Sequence, residues 1–536
     1  MTHPHPFSRR DLFKMGTCAA AGIVGASALG GCAPQTRSNA EMAATGAGAH
    51  GDPNTPSFLV APEPITDFVD TKEFEVVVVG AGVAGMAAAI SAAEAGANVG
   101  VVQKEDIVIS QGNMAAGVDL QQTSEAGKQA LISFLTELNQ HRSDRALLEA
   151  WADNSFEALA WFKAIASEGG VEVNDDEPQA DRVLDINGYK VYLHANTYFG
   201  MGHGEVVKAA VPHAEAAGVQ FFYNHPAVQL VNDGDAVTGV VCETDEGHVL
   251  FNATKAVVLA TGDYCNDEEM VRYYCPDCVN FPPYITGRTG DGHKMGVWAG
   301  GEIEPANHTK MMHDARVCRV DAPLLLVDYQ GNRVLCEGPM QGYLNNYVRE
   351  NVHLTGDPAT GMLFTVCDSK WQEQIAEWKS IDPEIDASNC IYYYEGNTIE
   401  EAVAAMAADT EGGGYTVDAA AVQATVDRYN ELCAKGSDDD FGKNPIFMRA
   451  IENPPYIIVP RDFGNSLTVI LGGLMVNADN QVLKAKEHTP LQGLYAVGNC
   501  SGCFYGGVDY PMDVLGLSIG RCITSGYLAG KHAAAL

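Results

Sequence analysis

Glu75-Val76-Val77-Val78-Val79-Gly80-Ala81-Gly82-Val83-Ala84-Gly85 decides the reading of this chain. Four successive valines read as a strand buried on both faces, and the run then breaks into G-x-G-x-x-G. An alanine-rich helical stretch, Met86 to Ala95, follows at once. Gly80 permits the tight turn, Gly82 lets the backbone approach a pyrophosphate, and Gly85 lets the helix pack on the strand. Val83 and Ala84 sit in the motif itself, and the N-terminus of the helix that follows faces the phosphate charge. Strand, turn and helix in that order point to a bound dinucleotide. The plain alternative is a set of glycines that only serve a tight βα turn.

Outward from this motif, Ala97 to Gln103 reads as a second strand. Its end should meet the adenosine ribose, where an acidic residue usually accepts the hydroxyl hydrogen bonds. Here Gln103 stands there, followed by Lys104; an amide oxygen still accepts, without the charge. Phe221 to Leu230 and Ala236 to Val241 read as β-structure. Ala256 to Asp263 is another buried strand ending in a glycine turn at Ala260-Thr261-Gly262. Gly290-Asp291-Gly292 opens a helical pattern through Ala299, and a last helix runs from about Gly516 to Ala534. The expectation is an α/β, Rossmann-like nucleotide domain assembled from both chain ends. Residues 73–306 and 469–536 form it, and a cap of mixed α+β pattern, 307–468, is inserted between.

The chain has 536 residues and a formal net charge of −36. That balance argues against nucleic acid or an anionic membrane surface as partner, and it suits either plain solvation or docking to a basic redox protein. Ser8-Arg9-Arg10-Asp11-Leu12-Phe13-Lys14 resembles a twin-arginine export signal. The apolar stretch Met15 to Leu29 is too short and too rich in glycine and alanine for a membrane span. It ends in Leu29-Gly30-Gly31-Cys32, which resembles a lipoprotein processing site. Residues 1–31 are therefore expected to be a leader, Cys32 a lipid anchor, and 32–72 a flexible tether.

Fourteen cysteines are scattered along the chain rather than concentrated as in a disulfide scaffold. Cys275-Pro276-Asp277-Cys278 and Cys500-Ser501-Gly502-Cys503 could together supply four metal or iron–sulfur ligands. Buried thiols or a local disulfide are the alternative, and no metal is expected. No C-x-x-C-H occurs, which leaves out covalent c-type haem.

Gly80 to Gly85, Gly112-Asn113-Met114-Ala115-Ala116-Gly117, Ala260-Thr261-Gly262, Gly290-Asp291-Gly292, Gly331-Asn332-Arg333 with Glu337, Gly472-Gly473 and Gly493 to Asn499 share an order and spacing. In these pieces the chain resembles the flavoprotein family of fumarate reductase flavoprotein subunits, 3-ketosteroid dehydrogenases and related bacterial ene-reductases. The resemblance spans about Phe74 to the C-terminus. It implies FAD, a mobile capping domain, and hydride transfer from reduced flavin to an activated C=C, or the reverse. It extends the cofactor-binding set to Gly112, Asn113, Met114, Ala115, Gly117, Asp291, Gly498 and Asn499. No histidine stands at a clear attachment position near Gly112 to Gly117, so non-covalent FAD is expected.

The departures from the family pattern carry the substrate argument. Fumarate reductases have a proton-donating arginine where this chain has Gln341, which is no useful acid near pH 7. Their carboxylate-clamping arginine is here Val514, and a substrate-holding histidine before the Gly-Gly pair is Val469. A dicarboxylate would lose its hydration without partners, at a cost of several kcal/mol. Fumarate is thus not the expected substrate.

Val508-Asp509-Tyr510-Pro511 is closer to the ketosteroid dehydrogenases. By that match Tyr510 and the backbone amide of Val514 polarise a substrate carbonyl; a tyrosine that merely packs is the alternative. Tyr343 and His313 are candidate proton donors, with Tyr505 behind them; either could instead be structural. The expected activity is an exported FAD reductase acting on a neutral enone or acrylate. A separate cytochrome or quinol-linked protein would supply its electrons. The reverse dehydrogenation and a non-catalytic flavin carrier are the alternatives.

Overall fold

The four-valine run lies at the centre of an eight-stranded mixed sheet. The computed structural model describes residues 55–112, 114–174, 181–199, 204–312, 322–338, 341–381, 385, 387, 390, 392–461, 467–507, 509–511 and 513–536. The leader, Cys32 and the first part of the tether lie outside these residues. The first strand is Asp70–Val79, and Val76 through Val79 are buried. On one side they pair in parallel with Val99–Val102, and on the other with Ala256 through Leu259. Parallel neighbours on both edges and helices on the faces explain why the run is apolar throughout rather than alternating.

The strand Pro490–Ala496 joins the same sheet, parallel to Gly247–Leu259, with Val257 opposite Leu494 and Leu259 opposite Ala496. Late residues therefore share a sheet with the first strand. The sheet runs Gln481–Leu483, Pro490–Ala496, Ala236–Thr244, Gly247–Leu259, Asp70–Val79, Val99–Val102, Gln220–Phe222, and Ala227–Asp233 is hairpinned onto Ala236–Thr244.

The helix Val83–Glu94 is buried along all but its last residue. Its alanines admit the C-terminal helix, Leu517–Ala535, at close range. A Cβ at Gly526 would stand 2.2 Å from the Ala84 carbonyl oxygen, and one at Gly530 2.3 Å from that of Ala88. Glycine at these two positions is what lets the helix backbones touch.

Residues 325–461 build a separate antiparallel sheet ordered Leu325–Asp328, Leu363–Asp368, Tyr456–Arg461, Tyr394–Gly396. Each face has its own apolar cluster, one around Phe364, Met406 and Val426, the other around Trp371, Trp378 and Ile457. A two-stranded ribbon, Lys310–Met312 with Leu467–Ile470, stands at the two crossings between this segment and the rest.

Part of the stretch expected to be a tether is docked. Phe58 is buried edge-on against Tyr273, and its carbonyl accepts the Trp298 indole N–H at 2.9 Å. Further along, the Gln229 side chain accepts from the Ile65 amide and donates to the Glu63 carbonyl. The sequence reading missed this because a short Pro- and Ser-containing stretch has no periodicity, and one or two apolar anchors are enough to hold it.

Candidate active site

A cleft of about 1070 Å³, its open mouth included, lies at the ends of the parallel strands. Gly80, Gly82, Val83, Ala84, Gln103, Lys104, Ala260, Thr261, Gly262, Asp291 and Asn499 line it, all expected from the sequence. Gly80 has φ +101°, and a Cβ there would meet the Ala260 carbonyl oxygen at 2.6 Å. Gly85 faces inward: its Cβ would fall 2.0 Å from the Gly80 oxygen, so it serves the helix–strand packing. Gly82 faces the cleft, where an added Cβ would come no nearer than 3.4 Å to any protein atom.

Several predicted residues stand outside the lining. Gly112 (φ +84°) is one layer back, against the cleft-lining Ile519. Met114 and Ala115 belong to the strand Met114–Val118, and Ala115 is buried under Gly516. Gly117 packs instead on a helix: its Cβ position is 3.0 Å from the Ser155 carbonyl oxygen. Gly498 (φ +60°) is pressed against Ala84. Asn113 and His313 lie outside the described residues, as does the Tyr343 side chain on the helix Gln341–Thr355.

Gln103 is occupied by the protein itself. Its Nε2 donates to the Ile107 carbonyl at 2.9 Å, and its Oε1 faces the Ala81 amide at 3.4 Å. It thereby braces the glycine turn against the next loop. That loop adds Ile109, Ser110 and Gln111 to the cleft, which no spacing in the sequence announced. Arg288 was also missed: it pairs with the buried Asp263 at 2.7 Å and donates to the Thr468 carbonyl at 2.8 Å. Its partner Asp263 closes the A-T-G-D turn, the one local signal that a cation belongs there. Lys104 pairs with Asp291 at 3.0 Å across the cleft wall.

Beyond Ile519 the C-terminal helix begins at Leu517 without a side-chain cap from its own first turn. The Tyr510 hydroxyl supplies the cap, accepting the Ser518 N–H at 3.0 Å. The sequence reading aims Tyr510 and the Val514 amide together at a substrate carbonyl; within the protein the phenol oxygen also meets the Ser518 amide. Helix N-terminal N–H groups lack intrahelical acceptors, and a nearby oxygen is drawn to them. Val514 is fully buried, its carbonyl accepting from Leu517. Burial raises the Tyr510 pKa, and the Ser518 hydrogen bond opposes that rise. Tyr505 packs 5.8 Å away, ring centre to ring centre, and its buried hydroxyl has no partner among the described residues.

A family model described as an FAD binding domain matches residues 75–510. The chain belongs to this FAD-binding family. It is 27% identical to a vinyl phenol reductase of Lactiplantibacillus plantarum over 86% of this chain and 96% of that protein. It is 28% identical to a urocanate reductase of Eggerthella lenta, over 89% and 76%. The open form of a flavocytochrome c3 fumarate reductase shares the fold at a TM-score of 0.62 and 24% identity, over 87% of this chain and 79% of that one. A Rhodococcus jostii 3-ketosteroid dehydrogenase does so at 0.62 and 23%, over 88% and 98%. The protein is an FAD-dependent oxidoreductase of the class acting on CH–CH groups.

The residues present fit FAD. The uncapped end of the helix Val83–Glu94 and the bare face of Gly82 offer backbone N–H groups to a pyrophosphate. Lys104 and Arg288 bring polar donors to the wall, each charge already balanced by Asp291 or Asp263. Thr261 Oγ1 and Arg288 Nε are buried without a protein partner among the described residues. The cysteine pairs do not converge: Cys275 lies by Tyr264 and His308, Cys500 by Gly292. Among the described residues no three His, Cys, Asp or Glu side chains are grouped to hold a metal.

Proposed function

We propose that this oxidoreductase is an exported, lipid-anchored reductase that saturates an activated C=C, of enone or acrylate type, in a largely neutral acceptor. The hydride would come from bound FAD once a donor has reduced it by two electrons. The observation that carries the neutral acceptor is the ribbon beside the cleft, where Met311 stands opposite Val469. The family resemblance places a carboxylate-holding histidine at Val469 and a clamping arginine at Val514. The nearby cations Lys310 and Arg349 are already matched by Asp277 and Asp509. Among the described residues, a dicarboxylate at this wall would give up hydration without an unpaired cation in return.

Tyr510 suits the reaction. Its oxygen is held by Ser518, and its own proton remains for a second acceptor. Hydride addition to an enone builds negative charge on the carbonyl oxygen, and a fixed phenol donor stabilises it. The relative named for vinyl phenol, a molecule without a carboxylate, aligns over nearly its whole length and supports a neutral acceptor. The Arg9-Arg10 leader and Cys32 support export and anchoring, and a cytochrome or quinol-linked protein is the electron donor this location calls for.

The test reduces the bound flavin anaerobically with a viologen dye and then adds fumarate, 4-vinylphenol or an enone steroid, one at a time. Neutral acceptors should restore the oxidised spectrum, with fumarate about 100-fold slower or worse, the equivalent of roughly 3 kcal/mol. Reoxidation by fumarate alone would overturn the argument from Met311, Val469 and Val514.

A further inference from the structure

Behind Tyr510 lies a group of four charges, two buried cations and two half-buried acids, that no family motif picks out. Arg349 grips Asp509 with two hydrogen bonds, Nη1 to Oδ1 at 2.6 Å and Nη2 to Oδ2 at 2.9 Å. Its Nε donates to Asp277 at 2.9 Å. Lys310 Nζ donates to the same Asp277 Oδ2 at 3.2 Å and to Asn307. The Arg349 and Lys310 side chains are fully buried, and two acids balance two bases. The paired acids raise the Arg349 pKa against the effect of burial, and the Lys310 and Arg349 cations lower that of Asp277 against its own desolvation.

The four residues come from four separate stretches of chain. Asp509 immediately precedes Tyr510, whose backbone N–H donates to the Lys310 carbonyl at 2.9 Å. Arg349 is on the helix Gln341–Thr355, the helix that also carries Tyr343. One turn earlier on its face, Asn345 donates to the Met312 carbonyl at 3.3 Å. The helix is thus tied both to the ribbon and to the loop that presents the phenol. Buried ion pairs contribute little net stability compared with apolar packing, but a fork on a carboxylate fixes geometry sharply.

We propose that Arg349 is a positioning residue for Tyr510. Its fork fixes Asp509 and so the backbone from which the phenol projects, and the phenol is aligned only while the helix Gln341–Thr355 is seated. This rests on the reading of Tyr510 as the group that polarises the acceptor. A lysine at 349 keeps the charge but cannot hold both carboxylate oxygens in one plane.

The experiment uses the full FAD-loaded protein, with rates of enone steroid reduction expressed per bound flavin. R349K and D509N should each lower kcat about 10- to 100-fold, the cost of a misplaced group, with KM within about twofold. In the Y510F background R349K should have no further effect, because Arg349 acts through the phenol. A 3-fluorotyrosine placed at position 510 should give one sharp fluorine NMR line in the parent and a broadened or split line in R349K. Equal losses from R349K in the parent and in Y510F, or an unchanged fluorine line, would refute the proposal. Full activity in Y510F would instead remove the reading of Tyr510, and the fluorine line would still decide whether Arg349 fixes the ring.

Discussion

Gly82→Ala and Gly85→Ala separate cofactor contact from packing within one motif. Gly82 has φ −78° and ψ −177°, a backbone any residue adopts, and its new methyl would meet only the Ile109 oxygen at 3.4 Å. As the residue capping the helix, alanine in place of glycine costs under about 1 kcal/mol. The same methyl would stand where the pyrophosphate must approach. Losing one charge-assisted hydrogen bond to a backbone N–H costs about 1.5–3 kcal/mol, or roughly 10- to 150-fold in Kd for FAD. Gly85→Ala does the reverse. Its Cβ would lie 2.0 Å from the Gly80 oxygen and 3.2 Å from Ala260 Cβ, so backbone must shift, at about 1–3 kcal/mol or more. Calorimetric titration of FAD into deflavinated protein, together with thermal melts, reads both effects. G82A should melt like the parent and bind FAD weakly, and G85A should melt early. FAD affinity in G82A within twofold of the parent would refute the close backbone approach.

His308 is fully buried between the Glu304 carbonyl and the Tyr264 hydroxyl, and burial holds its pKa at about 3 against 6.5. The unfolded chain takes up this proton below pH 6.5 while the folded one resists until about 3. The stability present above pH 6.5 is therefore lost as pH falls, at about 1.4 kcal/mol per unit. Urea midpoints of the parent should drop more steeply from pH 6.5 to 5 than those of His308→Gln, and equal slopes would count against the assignment. Arg333 bridges Glu337 and Asp438, whose side chains are fully buried. Arg333→Met leaves two buried carboxylates short of a partner and should cost about 3–5 kcal/mol in urea unfolding. Phe58→Ala should speed hydrogen exchange across residues 57–69 and leave the first strand protected, since its contacts anchor a surface strap.

Those variants probe features of unequal visibility in the sequence. Val76 to Gly85 carries its own fold, because parallel strands buried on both faces need an unbroken apolar run and the turn needs glycine. The alanines of 83–93 foretold a buried helix, though not that Gly526 and Gly530 would press on it. Gln103 was read as a ribose contact from the position of its strand end, yet its amide braces the glycine turn, a choice made by neighbours at 81 and 107. Gly117 looked like part of a cofactor loop and packs on a helix, because glycine for backbone approach and glycine for close packing read alike in one dimension.

The sequence by itself determined the dinucleotide motif, the return of the chain's end to the first sheet, and the apolar residues where the family keeps charged or donor groups. Each follows from local rules: strand patterning, turn chemistry and the identity of single side chains. Tertiary structure alone decided that Ser518 meets Tyr510, that Arg288 closes on Asp263, and that Lys310, Asp277, Arg349 and Asp509 share one buried site. Such contacts join residues far apart in the chain, and their energies depend on burial and distance, which no local pattern encodes.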